Sequence, residues 1–335
     1  MDRRKFLNIG AGAVVAAGFG GLTASAKAAD GLADSRVTDG TIPFKKLPGG
    51  YLHYQLGEET PGPLPVRFLG TGAAGKPTPD ADGLIRRHSS VLLDKKVIID
   101  FTPTSEDMIP EGFHPEALFY THSHGDHYNP VAALKLAPER IFLSETWAER
   151  AMGEFETASK ETGLPVPPVI PLGIGDKVTI AGMTLTALPA CHATSDLKEQ
   201  AMIYLIEKLP VRVLYATDTA GIPAIASRLV GIDPHIKPGN PINGLIMEAT
   251  MGVDGDEDFR LFCHSSASLV LRTAHMLLRE GRYIPKEGQP VYLTHIARSL
   301  HGNQSQLQLD KSLPSPLKAA YDGLEVVFGA GNDGQ

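Results

Sequence analysis

The feature that most constrains this chain is the segment 121–127, which reads Thr-His-Ser-His-Gly-Asp-His and follows the apolar run 117–120. Along an extended segment side chains alternate in direction, so His122 and His124 point the same way. The glycine then permits a turn that swings the following aspartate and histidine back toward them. Three imidazoles and a carboxylate this close together, directly after an apolar strand, predict a bound cation rather than a solvated histidine-rich loop.

Three other strand-like runs also end in metal-binding side chains. The runs 184–188, 211–216 and 291–294 lead into His192, Asp218 and His295. Together with the first cluster they give seven candidate metal ligands: His122, His124, Asp126, His127, His192, Asp218 and His295. Imidazole nitrogen and carboxylate oxygen suit zinc, manganese or iron, and a carboxylate can bridge two ions through its two oxygens. The sequence therefore predicts divalent metal, with zinc as the first choice.

The cluster resembles the H-x-H-x-D-H motif of the metallo-β-lactamase superfamily, and the resemblance extends from about residue 66 to residue 328. It implies an α/β (α+β) fold, the four-layer αββα sandwich, with a dinuclear metal site. The family pattern places one ion on His122, His124 and His192, and the other on Asp126, His127 and His295, with Asp218 between them. The resemblance also matches Asp100 to a family aspartate that supports the ligands. A turn-capping aspartate is the alternative there, because the usual glycine does not follow closely.

A pair of metal ions held in this way implies hydrolysis. Water between two such ions loses its proton near neutral pH, and ions about 3.5 to 4 Å apart stabilise both the attacking and the leaving oxygen. Asp126 and Asp218 are therefore predicted to serve the reaction as well as the metals. The sequence shows no nicotinamide or flavin site, and no cysteine cluster that would bind iron and sulfur.

A glycine loop and a second histidine motif resemble the ribonuclease Z and cyclic-phosphodiesterase branch. The loop contains Gly70, Thr71 and Gly72, whose backbone can approach an anion; a plain hairpin turn is the alternative. The motif is His264-Ser265-Ser266, before an apolar-periodic run where a serine can cap a helix and the helix dipole attracts an anion.

His264 is the candidate for binding phosphoryl oxygens or protonating the leaving group, and packing against the sheet is the alternative. Ser265 and His301 are weaker candidates for substrate contact. These features predict hydrolysis of a small phosphodiester or cyclic phosphate. Two alternatives stay open: hydrolysis of a lactone or other ester at the same site, and a non-catalytic binding protein like the relatives in quinone-cofactor biosynthesis.

The charge balance argues against long nucleic acid as a substrate. The formal net charge is −7, and after residue 5 no run of basic residues is longer than a pair such as Lys45-Lys46 or Arg86-Arg87. Proteins that grip a phosphate backbone use many lysine and arginine contacts. The sequence therefore predicts a small, anionic substrate.

The N-terminus predicts export. Residues 2–7 read Asp-Arg-Arg-Lys-Phe-Leu, a twin-arginine signature, and the uncharged run 9–22 is short and rich in glycine. Ala24-Ser25-Ala26 offers a cleavage site, after which no stable membrane span is expected; an uncleaved anchor is the alternative. We therefore expect the twin-arginine machinery as a partner and a periplasmic or otherwise exported protein. Removing residues 1–26 takes away three positive charges and one negative, which moves the formal charge to −9.

The predicted domain organisation has three parts. They are a signal peptide at 1–29, an N-terminal extension at 30–65 and a hydrolase domain at 66–335. Within the domain the patterns predict helices near 130–137, 145–160, 222–230, 265–280 and 314–321, and long Pro/Gly-rich loops at 161–175 and 219–243.

Each of the two cysteines, Cys191 and Cys263, directly precedes a site histidine. On extended segments each cysteine would face away from the cleft, which predicts buried thiols that do not bind metal. A disulfide stays open, because the sequence gives no distance between them.

Overall fold

Two β-sheets form the centre of this protein, as seen in a computed structural model that describes residues 42–235 and 239–329. The predicted signal peptide and residues 30–41 of the predicted extension lie outside the described residues. Within the described part, no helix combines the length and apolar character that crossing a membrane requires.

Within residues 42–235 and 239–329, sixteen short strands make up the two sheets. They are β1 (Phe44–Lys46), β2 (Leu52–Gln55), β3 (Leu64–Gly70), β4 (Ser90–Leu93), β5 (Val97–Ile99), β6 (Ala117–Phe119), β7 (Ile141–Ser144), β8 (Val169–Leu172), β9 (Lys177–Ile180), β10 (Met183–Pro189), β11 (Met202–Lys208), β12 (Val211–Ala216), β13 (Gly244–Glu248), β14 (Val291–Thr294), β15 (Leu317–Ala319) and β16 (Glu325–Phe328). The seven-stranded sheet has the order β16-β3-β4-β5-β6-β7-β8, and the nine-stranded sheet has the order β1-β2-β9-β10-β11-β12-β13-β14-β15.

Five α-helices in the described part of the chain cover the outer faces of the sheets. They are α1 (Pro130–Leu136), α2 (Ala148–Thr162), α3 (Ala224–Leu229), α4 (Ala267–Arg279) and α5 (Gln306–Ser312). Helix α1 begins as the sequence indicates, because Asn129 accepts a hydrogen bond from Ala132 N and Pro130 occupies the first helical position. Ser266 caps α4 in the same way by accepting from Leu269 N.

The buried hydrophobic side chains of the described residues form three clusters. Side chains from both sheets fill the central layer, with Phe68, Phe119 and Tyr204 among the largest. The seven-stranded sheet packs its other face on α1 and α2, and the nine-stranded sheet packs its other face on α3, α4 and α5. This arrangement confirms the predicted αββα sandwich.

The carboxyl ends of several strands meet at one edge of the sandwich. Strands β5 to β8 run parallel, as do β12 to β15, and β10 is antiparallel to β11, which is antiparallel to β12. The loops that follow β5, β6, β10, β12, β13 and β14 therefore leave the sheets at the same edge. Open α/β sheets bind their ligands at such an edge.

The sequence patterns misjudged two segments. The prediction of a helix near 314–321 was wrong, because this segment contains β15 and the helix α5 lies before it. This segment pairs in parallel with β14, with Leu317 opposite Val291. That pairing outweighs the helical pattern of the local sequence. The predicted loop 161–175 contains β8, and the extension carries β1 and β2, which form the edge of the nine-stranded sheet beside β9.

Candidate metal centre

The loop after β6 brings four of the predicted ligands to the edge of the sheets. The backbone N–H groups of His127 and Tyr128 both donate to His124 O at 2.9 Å, which closes the turn at Gly125. Buried Glu199 holds the loop from behind by accepting from Ser123 N (2.7 Å) and from the Ser123 hydroxyl (2.6 Å). The turn thus orients the imidazoles before any ligand is bound.

The first set of donors consists of His122, His124 and His192, whose donor atoms lie within 4.8 Å of one another. His192 donates its Nδ1–H to Cys263 O at 3.0 Å, and its Nε2 lies 3.2 Å from His124 Nδ1. Among the described residues, the buried Nε2 of His122 has no hydrogen-bond partner. Burial lowers the pKa of His122 well below its usual value, and nearby His127 lowers it further. The ring is therefore neutral, with a lone pair directed into the cluster.

The second set consists of Asp126, His127 and His295, with Asp218 beside it. Asp218 Oδ2 lies 3.0 Å from His127 Nε2 and 3.3 Å from His295 Nε2. Asp126 Oδ2 lies 3.4 Å from His127 Nε2 and 3.3 Å from His295 Nε2. The other oxygen of Asp218, Oδ1, is 3.9 Å from His192 Nε2 in the first set. Asp218 therefore faces both sets, one oxygen toward each.

Asp100 supports His122 of the first donor set and His127 of the second, and these residues with Thr121 are called the first half of the site. Asp100 follows β5, is fully buried, and accepts from Thr121 N, the Thr121 hydroxyl and His127 Nδ1, each at 2.8 Å. Because the Thr121 hydroxyl gives its only hydrogen to Asp100, it accepts from His122 Nδ1 at 3.0 Å. The two hydrogen bonds leave Nε2 of His122 and of His127 as the donor atoms that face the cluster.

Glu248, at the end of β13, supports His295 through Thr250 as Asp100 supports His122 through Thr121. These residues, with His264, are called the second half of the site. Glu248 is fully buried and accepts from Thr219 N and from the Thr250 hydroxyl. The Thr250 oxygen in turn lies 2.8 Å from His295 Nδ1, so it accepts from that N–H. His264 completes the group, with Nδ1 3.1 Å from Glu248 Oε2.

The geometry of the second set fits a cation. With Nδ1–H given to Asp100, a neutral His127 would direct the Nε2 lone pair at two carboxylates, which is repulsive unless a positive charge lies there. Burial alone lowers the pKa of His127, but Asp218, Asp100 and Asp126 outweigh it and raise that pKa well above its usual value. The same carboxylates would stabilise a divalent ion at this position, and their nitrogen and oxygen atoms suit zinc, manganese or iron.

Three site residues adopt backbone conformations that L-residues rarely use. Asp100, Asp218 and His295 have φ values of 58°, 49° and 52°. Such left-handed positions cost free energy and cluster at functional sites, where the surrounding structure holds them. Asp100 and His295 directly follow a strand and Asp218 follows one after a single residue, so each left-handed position lies where the chain leaves a sheet beside the cluster.

The weaker substrate candidates contact the protein itself. A Cβ atom on Gly70 would lie 1.9 Å from His88 O, and one on Gly72 would lie 2.9 Å from Arg86 O. Both positions therefore require glycine, because the segments 70–72 and 86–88 of the chain pack closely against each other. Thr71 is fully buried and donates to Asp322 at 2.8 Å. Ser265 donates to Thr219 O at 2.7 Å, and the buried His301 bonds to Ala249 O at 2.7 Å. These placements give no support to direct substrate contact.

The expectation for the cysteines needs correction. Both are free thiols, but Cys191 is exposed and Cys263 is partly exposed. The Cys263 sulfur also lies within 4.8 Å of donor atoms of His192 and His264. The prediction that it faces away failed because residues 259–262 form a 3₁₀ turn, in which the alternation of an extended chain does not apply.

Sequence reasoning missed the residues that orient the ligands. From the sequence no role was assigned to Thr121, Thr250, Glu199 or Glu248. The available signal was position: Glu248 ends a strand beside the strands that lead to Asp218 and His295.

One known protein family matches this chain. A family model described as "Beta-lactamase superfamily domain" matches residues 102–277. The comparison with curated protein sequences finds no match.

Several solved structures share the fold. Human tRNase Z, short form, is 17% identical with a TM-score of 0.55, covering 79% of this chain and 100% of its own. The metallo-beta-lactamase fold protein YhfI from Bacillus subtilis is 17% identical, with a TM-score of 0.53 and coverage of 79% and 99%. Zn²⁺-bound PqqB from Methylobacterium extorquens is 13% identical, with a TM-score of 0.53 and coverage of 78% and 99%. At these identities the likeness shows the fold alone.

Proposed function

This chain belongs to the beta-lactamase superfamily of metallo-β-lactamase fold, and we propose that it is a metal-dependent hydrolase that cleaves a small phosphodiester or cyclic phosphate. The single observation that carries the substrate class is the pair Glu248–His264 beside the predicted metal ligands. His264 Nδ1 lies 3.1 Å from Glu248 Oε2 and 3.6 Å from Asp218 Oδ1.

The pair supplies a protonated imidazole at neutral pH. Burial lowers the pKa of His264, but the hydrogen bond and charge of Glu248 outweigh it and raise that pKa to about 9. A cation here can attract the anionic oxygens of a phosphodiester and can give a proton to a leaving alkoxide.

We propose two divalent ions, zinc first, held by His122, His124 and His192 and by Asp126, His127 and His295, with Asp218 shared. When bound, such ions act as Lewis acids and lower the pKa of water toward neutrality. The protein's own part is to fix the donor atoms through Asp100, Thr121, Glu248 and Thr250, and to hold the proton at His264.

The test is the variant His264→Ala. Phosphodiester turnover should fall by roughly 10²- to 10⁴-fold, the range for a positioned acid–base group, while the metal content stays unchanged. The loss should shrink for a nitrophenolate leaving group, which needs little protonation. His275→Ala is the matched control, because His275 is an exposed histidine on the adjacent α4.

Three outcomes decide the proposal. Loss of metal would make His264 a ligand, and unchanged turnover would make it a packing residue. A screen against phosphodiesters, lactones and β-lactams separates the ester alternatives, and no metal-dependent turnover of any substrate would favour a non-catalytic binding protein.

We further propose export through the twin-arginine pathway, supported by the Arg3-Arg4 signature and the small-residue site at 24–26. Replacing both arginines by lysine should leave the precursor in the cytoplasm. Sequencing the N-terminus of the exported protein should place it near Lys27 to Asp30. Unchanged export of the variant would contradict the proposal.

A further inference from the structure

A cavity of about 360 Å³ lies beside the predicted metal centre. It is formed by the glycine-rich segment 72–79 and by residues 296–299, together with Arg86 and Asn303. Backbone hydrogen bonds join the two segments, since Ile296 N donates to Thr71 O at 2.9 Å. The wall of the cavity therefore begins one residue after the predicted ligand His295.

The side chains that line this cavity carry positive charge. They include Lys76, Arg86 and Arg298, and no aspartate or glutamate lines it. Among the described residues, neither arginine has a carboxylate within ion-pair distance. The nearby Asp80 carboxylate accepts instead from the backbone N–H groups of Asp82 and Leu84, each at 2.9 Å.

Arg298 has hydrogen-bonding capacity that the described residues do not use. Its Nη1 donates to Thr78 O at 2.8 Å and its Nε is enclosed by protein, whereas no hydrogen bond joins its Nη2 to the described residues. An arginine fork matches the two oxygens of a carboxylate or phosphate.

Arg86 adds a second, deeper cation. It donates to the Thr71 hydroxyl at 2.8 Å, to Ala320 O at 2.6 Å and to the amide oxygen of Gln306. All three acceptors are neutral, and the carboxylates of Asp322, Asp80 and Asp310 act on the guanidinium only through their charge. Burial lowers the pKa of Arg86, with Asp322 only partly offsetting that effect, which shows that the guanidinium lies in a poorly solvated place.

We infer that this cavity binds a second anionic group, a phosphate or a carboxylate, carried on the substrate whose scissile bond lies at the metal centre. The inference rests on the proposed phosphodiesterase function. The cavity lies at the small end of ligand-site volumes, which fits one arm of a substrate rather than a whole polymer. The site would then select phosphodiesters with a charged arm over those with an apolar arm.

The experiment compares two nitrophenyl phosphodiesters with the same scissile bond and leaving group. One has a propyl arm, and the other has an arm of two to five carbons that ends in a carboxylate or a phosphate. For the native, metal-loaded protein KM should be about 10- to 100-fold lower with the charged arm, the size of one or two charge-assisted hydrogen bonds. Arg298→Gln should abolish this difference while leaving kcat for the propyl ester unchanged.

Two further variants show whether the guanidinium itself is responsible. Arg298→Lys keeps the charge but loses the fork, so it should restore part of the preference. Arg279→Gln is the control, because Arg279 is an exposed arginine in the last turn of α4. A preference that survives in Arg298→Gln would overturn the inference.

Direct binding separates failure of this inference from failure of the proposed function. The native, metal-loaded protein should bind one sulfate by titration calorimetry, and Arg298→Gln should bind it at least about tenfold more weakly. If neither phosphodiester turns over but this difference is found, the proposed reaction fails and the anion site stands for a free anion. If both esters turn over with equal KM and sulfate binding is unchanged, the anion site fails and the reaction stands.

Discussion

The two halves of the site use the same support in different ways. In each half a buried carboxylate at a strand end accepts from a threonine hydroxyl, and that threonine accepts from a ligand histidine. In the first half the carboxylate is Asp100 and its third partner is the predicted ligand His127. In the second half it is Glu248 and its third partner is His264, which is outside the predicted ligand set.

The two carboxylates therefore differ in role: Asp100 orients ligand candidates, and Glu248 also bonds the proposed proton donor His264. Asp100 is enclosed, and all its partners serve to aim donor atoms at the cluster. The His264 side chain is 16% exposed, so the group that Glu248 charges can reach a substrate. The same kind of support therefore orients metal-ligand candidates in both halves, and in the second half it also bonds His264, the proton donor of the proposed reaction.

The largest effect should come from the residue that joins the halves. Asp218→Ala removes the only carboxylate that faces both donor sets among the described residues, so each of the two proposed ions would lose a ligand. Metal content should fall from two ions per chain, measured by elemental analysis, and turnover should fall about 10³-fold or more, the equivalent of several kcal/mol. A native protein that never exceeds one ion after careful loading would contradict the shared site.

The sequence predicted the fold and the seven candidate donor residues, but it did not predict Thr121, Glu248 and Thr250, which orient the donor histidines. The ligand motif is local, and period-two alternation places its side chains without knowledge of distant residues. Thr250 and Glu248 contact His295 and His264 through hydrogen bonds that span 14 to 45 residues, and no local pattern encodes such pairs. The segment 317–319 failed for the same reason, because pairing with β14 decides its structure.

The second prediction exchanges the two supporting carboxylates for amides. Asp100→Asn should weaken metal binding by about 10- to 100-fold, because it disturbs the orientation of His127. Glu248→Gln should lower turnover of substrates with poor leaving groups more than it lowers metal affinity. Glu139→Gln, at an exposed position, is the control. Chelator competition and single-substrate kinetics measure the two effects, and equal metal loss in both variants would erase the difference between the halves.

The third prediction concerns pH. The His264 pKa of about 9 lies above its usual value of 6.5, so the acid form is complete below about pH 6.5 and is lost as the pH rises through about 9. Turnover of poor leaving groups should fall with it, and so should the contribution of this ion pair to stability. In Glu248→Gln the falling limb should move to lower pH, because that carboxylate gives the largest upward effect. A limb at an unchanged pH in the variant would assign it to another group.

The smallest effects should come from the two threonines. Thr121→Val removes the partner of His122 Nδ1 and Thr250→Val removes that of His295 Nδ1, so each should weaken metal binding by about 2- to 10-fold, the net worth of one hydrogen bond. Thr157→Val, at an exposed helical position, is the control.

Only Thr250→Val should also change the pH profile. With the threonine hydroxyl gone, the charge on Glu248 is shared with fewer donors and acts more strongly on His264. The falling limb should then move to higher pH, opposite to its movement in Glu248→Gln, whereas Thr121→Val should leave it in place because Asp100 does not contact His264. If both threonine variants moved the limb alike, the second half would have no separate role in proton supply.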